Sequence, residues 1–279
     1  MTENAGESAV TLVVGGAGKT GRRVVRRLRE KGIAVRPVSR SSTPRFDWNE
    51  PGTWADALKD ADSAYVTYHP DLAMPGAADV VGAFAKQAVA SGTRRLVLLS
   101  GRGEEGAQAA ERAVRESGAE WTILRSAWFF QNFNESFLLE QVLEGVIAMP
   151  AGSVAEPFVD AEDVADAAVA ALTSSRHVGE VYELTGPRLM TFADAAAEIG
   201  EATGRDIRYV AVSPEEYEAA LAGQMPAEEA RLLTALFSEV LDGHNAHLSD
   251  GVRRALGREP ADFADFAPDA AATGVWEAS

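Results

Sequence analysis

Through the first ~150 residues, short apolar runs alternate with stretches whose apolar positions recur at helical spacing. The runs Val10–Val14, Ile33–Ser39, Ala64–Tyr68, Arg95–Leu99 and Trp121–Leu124 predict strands, several of them apolar enough to be buried on both faces. Helical spacing falls between them at Gly18–Lys31, Trp54–Lys59, Ala78–Ser91 and Glu104–Ser117. Gly32, Gly92 and Gly118 follow three of these stretches, where a left-handed helix cap favours glycine. Strand–helix alternation at this spacing predicts right-handed βαβ units, and hence an α/β fold with a doubly wound parallel sheet. After Pro150 the pattern changes. A helix is expected at Ala161–Ser174, a strand at Val181–Leu184, a helix at Phe192–Thr203 and a strand at Ile207–Val212. From Pro214 to about Ala272 only helical patterns remain. The division expected is a first domain over residues 1–150 and a smaller, mostly helical cap over 151–279.

Of 279 residues, 46% are hydrophobic and 24% charged, which excludes disordered, collagen-like and coiled-coil chains. A chain of this length buries roughly three-quarters of its unfolded surface and needs no staple. The absence of cysteine removes disulfides, thiolate metal sites, iron–sulfur clusters and thiol catalysis together. No apolar run approaches the ~18 residues of a membrane span, and the N-terminus lacks the basic and apolar regions of a signal peptide. A cytoplasmic protein is expected, and the preference for arginine over lysine points to a GC-rich bacterial genome.

The net charge of −16 opposes attraction to nucleic acid or anionic lipid. Yet the first 45 residues carry ten basic and three acidic side chains. That excess is either a local anion site or a solvated helix face bearing Arg22, Arg23, Arg26, Arg27 and Arg29; charge alone favours the solvated face.

The first strand runs into Gly15-Gly16-Ala17-Gly18-Lys19-Thr20-Gly21, which fits GxxGxxG or GxGxxG. In either register glycine permits a tight turn, lets the backbone approach a pyrophosphate, and lets the helix pack on the strand. The helix N-terminus then offers N–H groups and partial positive charge to phosphate. An amphipathic helix bearing Val24, Val25 and Leu28 follows, which is the context the motif requires. The second strand ends Val38-Ser39-Arg40-Ser41-Ser42, with Arg40 standing 22 residues after Gly18. A site for the unphosphorylated dinucleotide usually places a carboxylate there. A guanidinium flanked by hydroxyls suits a 2′-phosphate instead, so NADP(H) is the expected cofactor, with Asp47 near the adenine.

The glycine turn and the Arg40 strand end look like an atypical short-chain dehydrogenase. Glu111–Arg115, Ser117-Gly118, Trp121-Thr122-Ile123-Leu124-Arg125, Phe129, Phe130 and Asn132 resemble the NmrA-like family. So do Phe158–Val164 and Tyr182-Glu183-Leu184-Thr185-Gly186-Pro187. The resemblance spans roughly residues 10–242 and implies a Rossmann fold that binds NADP(H). It implies either a reductase of quinones, dyes or natural products, or a redox-sensing regulator that binds nucleotide without catalysis.

The chain departs from the catalytic Tyr-x-x-x-Lys pair of short-chain dehydrogenases. Its five tyrosines, at 65, 68, 182, 209 and 217, are followed four positions on by His69, Leu72, Gly186, Ser213 and Leu221. The matching helix carries Glu111 and Arg115. Ser100 stands where the family's serine often lies, and is assigned with Thr67 to the cofactor.

Tyr68 and His69 close the strand that ends there, at the carboxyl edge where ligands bind, and are weak candidates for proton donation alongside Ser100. With Phe129, Phe130 and Asn132 they are candidates for a substrate pocket. The aromatic run Trp128, Phe129, Phe130, Phe133 and Phe137 serves equally as packing. His244 and His247 stand i, i+3 on an expected helix, but a metal pair without a defined third ligand is weak, and no metal is expected. The resulting expectation is hydride transfer to an electrophilic small molecule, with a noncatalytic sensor acting through a protein partner as the alternative. The oligomeric state is left open.

Overall fold

The computed structural model describes residues 10–277. Strand β1 (Val10–Val14) is five apolar or β-branched residues, four of them fully buried. It is flanked by β2 (Val35–Val38) and β3 (Ala61–Val66), both parallel to it. Strands β4 (Arg95–Gly101), β5 (Glu120–Ser126) and β8 (Val181–Leu184) extend the sheet on the β3 side. Its order is β2-β1-β3-β4-β5-β8, so the direction of winding reverses between β1 and β3. In open α/β sheets ligands bind outside the carboxyl ends of the strands at such a reversal.

Helices α1 (Gly21–Glu30), α2 (Trp54–Leu58), α3 (Ala77–Ala90) and α4 (Glu105–Arg115) follow β1, β2, β3 and β4 in sequence. Helix α1 buries Val24, Val25 and Leu28, the predicted apolar face. Its first turn starts at Gly21 rather than Gly18, because residues 15–20 are taken up by the turn itself. Phe46, Trp48, Trp54 and Phe84 pack edge to face, and the Trp48 and Trp54 indoles donate to the carbonyls of Thr67 and Asp47. This cluster pins the long β2–α2 connection and so fixes the turn after β2.

The chain divides into two units. One holds residues to 101, with 105–125 and 164–182; the other holds 102–104, 126–163 and 183 onward. The units therefore interleave in sequence instead of dividing at residue 150. Helix α6 (Ala161–Thr173) belongs largely to the first unit, where Asp166 pairs with Arg27 of α1.

The second unit is built on a core that includes Phe130, Phe133, Phe158, Phe192, Phe263 and Trp276. It contains α5 (Leu139–Glu144), α7 (Phe192–Thr203), α8 (Pro214–Ala222), α9 (Ala227–Val240), α10 (Gly251–Leu256) and α11 (Phe263–Ala272). Strand β6 (Val146–Met149) pairs in parallel with β10 (Arg208–Ala211), and β7 (Ala155–Glu156) pairs antiparallel with β9 (Met190–Thr191). The predicted strand at 207–212 thus joins a separate small sheet. Strands β6, β7 and β9 were not predicted, since two to four residues carry no readable period. No helix among the described residues is long and apolar enough to cross a membrane.

Candidate functional site

The glycines of the turn after β1 meet two different demands. Gly15 adopts φ +72, and a Cβ there would overlap the Thr67 hydroxyl. At Gly16 a Cβ would lie 2.5 Å from the Pro37 side chain, and at Gly21 it would overlap the Gly15 carbonyl. These three are glycine because the chain packs on itself. Gly18 differs: its Cβ would meet only the Gly15 oxygen, at 3.1 Å. Gly18 is the position where the turn is open to an approaching group.

Helix α1 has no side-chain cap and no acidic residue in its first turn. Thr20, at its N-cap, uses its hydroxyl to accept from the buried Tyr65 phenol at 3.0 Å. The helix end therefore keeps N–H groups and dipole for an anion. Gly18 and this end together fit a pyrophosphate. Thr67 sits beneath the turn and donates to the Val14 carbonyl at 3.0 Å, so its hydroxyl serves the fold.

Beside the turn lies a groove of about 620 Å³. It is lined by Gly16 and Ala17, by Arg22, Arg26 and Arg29 of α1, and by Ser39, Ser41 and Ser42 after β2. The basic helix thus has two faces. Arg22, Arg26 and Arg29 share the groove face at i, i+4 and i+7. On the other, Arg23 is buried and donates to the Lys19 carbonyl at 2.8 Å, while Arg27 pairs with Asp166. The basic excess of the first 45 residues thus divides between a groove-lining face and a face that packs and pairs within the fold. Arg40 is exposed and its side chain is not part of the groove lining. The Asp47 carboxylate accepts from Arg45 at 2.9 Å and from the Asn49 amide at 3.0 Å, and Asp47 too is absent from the lining.

At the end of β4 the Ser100 hydroxyl donates to Glu111 Oε1 at 2.8 Å. Glu111 is 1% exposed and also receives Arg125, at 2.8 Å on Oε1 and 2.7 Å on Oε2, and Arg115 at 3.4 Å. Arg115 stacks on the Trp121 ring at 4.9 Å. These contacts form an ionic knot that fastens α4 to β4 and β5. Ser100 has its proton committed and can only accept further hydrogen bonds. Its link to Glu111 was not legible in the sequence, because the partners lie on different elements.

Burial of Tyr65 raises its pKa far above the ordinary phenol value. Burial likewise pushes Tyr217 up to about 12. The phenol of Tyr182 is tied to His177 Nδ1 at 2.8 Å. Tyr68 is half-buried, 5.1 Å from the Trp48 ring, and His69 is exposed beyond the end of β3.

In the second unit Phe130 is 1% exposed and packs on Phe263 at 5.1 Å, so it belongs to the core and not to a pocket wall. Phe133 does the same, Asn132 is buried and Phe129 is half-buried. His244 and His247 lie in an irregular segment after α9 rather than on a helix. His244 Nδ1 bonds Asp242, and its Nε2 lies 3.2 Å from the Gly103 carbonyl. Among the described residues no cluster of three His, Asp or Glu is placed to hold a metal.

One group escaped the sequence reading. Glu156 is 1% exposed, and its Oε1 has no hydrogen-bond partner among the described residues. Burial pushes its carboxyl up to about 7, opposed by Arg102 and His244 and assisted by Asp242. Arg102 itself is clamped by the carbonyls of Asn245 and His247 and by Glu183.

Comparison with known proteins agrees with the turn and the sheet. Residues 15–175 match the family model described as NAD(P)H-binding. The chain is 33% identical to the uncharacterized oxidoreductase YesF of Bacillus subtilis, over 95% of this chain and 97% of that one. It is 30% identical to the NAD(P)H azoreductase of Xenophilus azovorans, over 92% of this chain and 96% of that one. Among solved structures, the NADPH-dependent quinone oxidoreductase QOR2 of Escherichia coli superposes with a TM-score of 0.78 at 20% identity. That match covers 93% of this chain and 99% of the other, and establishes likeness of fold. On its family match, its relatives and its sheet, the chain belongs to the NAD(P)H-binding family of Rossmann-fold oxidoreductases.

Proposed function

We propose that the protein transfers hydride from NADPH to an electrophilic small molecule, quinone-like, iminium or natural-product carbonyl, without a Tyr-x-x-x-Lys acid. The observation that carries this reading is the Glu111 knot, which occupies the relay's place and leaves Ser100 no proton to give. When bound, the nicotinamide supplies the hydride. The chain supplies the seat. Gly15–Gly21 and the α1 N-terminus receive the pyrophosphate, and the segment from Ser39 receives the adenosine end. Ser100 accepts a hydrogen bond, and Tyr68 and His69 shape the acceptor's surroundings at the end of β3. A plain ketone needs its oxygen protonated as hydride arrives, and a missing positioned acid forfeits about 10²–10⁴-fold. A quinone spreads the incoming charge over its ring, and water protonates it afterwards. The azoreductase and quinone reductase relatives support this choice of acceptor.

The test is NADPH oxidation across quinones, iminium ions and unactivated ketones. Turnover of the first two classes is expected. Tight nucleotide binding with no turnover of any acceptor would instead favour a sensor that acts through a protein partner.

A further inference from the structure

Within the second unit the aromatic run after β5 divides. Phe130 and Phe133 enter the core, whereas Trp128 is half-buried and Phe137, at 43% exposure, is the one exposed aromatic side chain among the described residues. Phe237 of α9 joins these last two. Its ring lies 5.0 Å from Trp128 and 5.6 Å from Phe137, and Trp128 and Phe137 are 6.2 Å apart. A single exposed phenylalanine needs no explanation, but three mutually touching rings, one of them open to solvent, present π faces to a flat guest.

Beside them stands a polar group without a partner. Thr234 is 4% exposed, and its hydroxyl oxygen has no hydrogen-bond partner among the described residues. It precedes Phe237 by three positions on α9, so the two share a helix face. A buried hydroxyl left unpaired costs stability, and a ligand heteroatom at the aromatic face would satisfy it. Charge then says what kind of guest fits. The second unit holds 26 acidic and 8 basic side chains, the first 16 and 18. Residues 126–163, which carry Trp128 and Phe137, have seven acidic side chains and no basic one. Helices α8 and α9 together have six and one. A field of one sign draws a cation, and an aromatic face holds it through the ring quadrupole.

We propose that Trp128, Phe137 and Phe237, with the Thr234 hydroxyl, form a binding site for a flat, delocalised organic cation. That this cation is the hydride acceptor rests on the function proposed above. The chemistry suits a chain without a Tyr-x-x-x-Lys pair. Hydride from NADPH forms a C–H bond at the iminium carbon, the C=N π pair becomes the nitrogen lone pair, and NADP⁺ remains; no proton is consumed. The neutral amine loses the attraction that held the cation, which favours its release.

The test is equilibrium dialysis without NADPH at about 0.15 M salt, where distant surface charges are screened. The probes are methylene blue, a flat cation; 1,4-naphthoquinone, which is neutral; and anthraquinone-2-sulfonate, an anion. Wild type should bind methylene blue about ten-fold more tightly than either other probe. Phe137→Ala should weaken methylene blue by about ten-fold. Phe137→Leu, which keeps apolar area without a π face, should weaken it by about five-fold and leave the quinone nearly unchanged. Thr234→Val should leave the denaturation midpoint unchanged or higher and weaken methylene blue a few-fold. Equal binding of the three probes by wild type, or methylene blue affinity that survives both Phe137→Ala and Thr234→Val, would overturn the site. The expected binding with no NADPH-dependent turnover of any acceptor would uphold the site and overturn the reductase reading.

Discussion

Glu111 and Glu156 are equally buried, each 1% exposed, yet their surroundings differ in kind. Glu111 receives a bidentate arginine, a second arginine and a serine hydroxyl. Glu156 keeps one oxygen without a partner among the described residues, and burial pushes its carboxyl up to about 7. Burial alone therefore does not settle what a carboxylate does. A carboxylate whose lone pairs are filled becomes a fastening, whereas one left open becomes a titrating group. The same distinction separates Gly21, which packs against its own turn, from Gly18, which faces outward.

The largest effect expected is on folding. Glu111→Ala removes the buried carboxylate that receives Arg125, Arg115 and Ser100, and should cost about 3–5 kcal/mol, seen as a lower denaturation midpoint. Ser100→Ala removes one of the bonds and should cost far less, about 1 kcal/mol. If Glu111→Ala unfolds no more readily than Ser100→Ala, the knot is not a fastening.

Glu156 should respond to pH in the opposite sense from an ion-paired acid. Its folded pKa lies above the ordinary 4.5, so the unfolded chain releases the proton first as pH rises. Stability should fall between about pH 4.5 and 7 and then level off. Glu156→Gln removes that slope, gaining at most about 3 kcal/mol over wild type at pH 8 relative to pH 4.5. Denaturant titrations at both pH values measure it. An unchanged slope in the variant would mean that Glu156 is ionised throughout, with Arg102 and His244 outweighing burial.

In the glycine turn, Gly18→Val should leave the circular dichroism spectrum intact and weaken NADPH binding by about 100-fold, since the side chain takes pyrophosphate space. Gly21→Ala should instead impair folding, because its Cβ overlaps the Gly15 carbonyl. Normal nucleotide binding by a folded Gly18→Val protein would remove the turn from the site. The smallest effects are expected at Tyr68→Phe and His69→Ala, which should lower quinone turnover only a few-fold, through pocket shape. A thousand-fold loss in either variant, with NADPH binding unchanged, would identify a general acid there.

The βαβ alternation and the glycine turn were legible because both are local: a strand, a turn and an amphipathic helix in immediate succession. That no lysine stands four positions after any tyrosine was legible too, since it required only the local sequence. Three features lay beyond reach for a physical reason. Glu111 meets Ser100 and Arg125 across different elements, so its charge could not be told from that of a surface residue. Glu156 sits in a two-residue strand with no period to mark it as buried. Phe130 and Phe129 are neighbours in one aromatic run, and only the fold sends the first into the core and leaves the second half-buried. Arg40, to which spacing along the chain points, is exposed in the β2–α2 connection.

The central claim is that reduction proceeds here without a positioned proton donor. It is tested most directly by the ratio of kcat/KM for a quinone to that for an unactivated ketone, measured with NADPH on the wild-type protein. A ratio of about 100 or more is predicted from the value of a missing general acid. Comparable efficiencies on the two acceptors would contradict it, because the ketone would then be receiving a proton from a positioned donor.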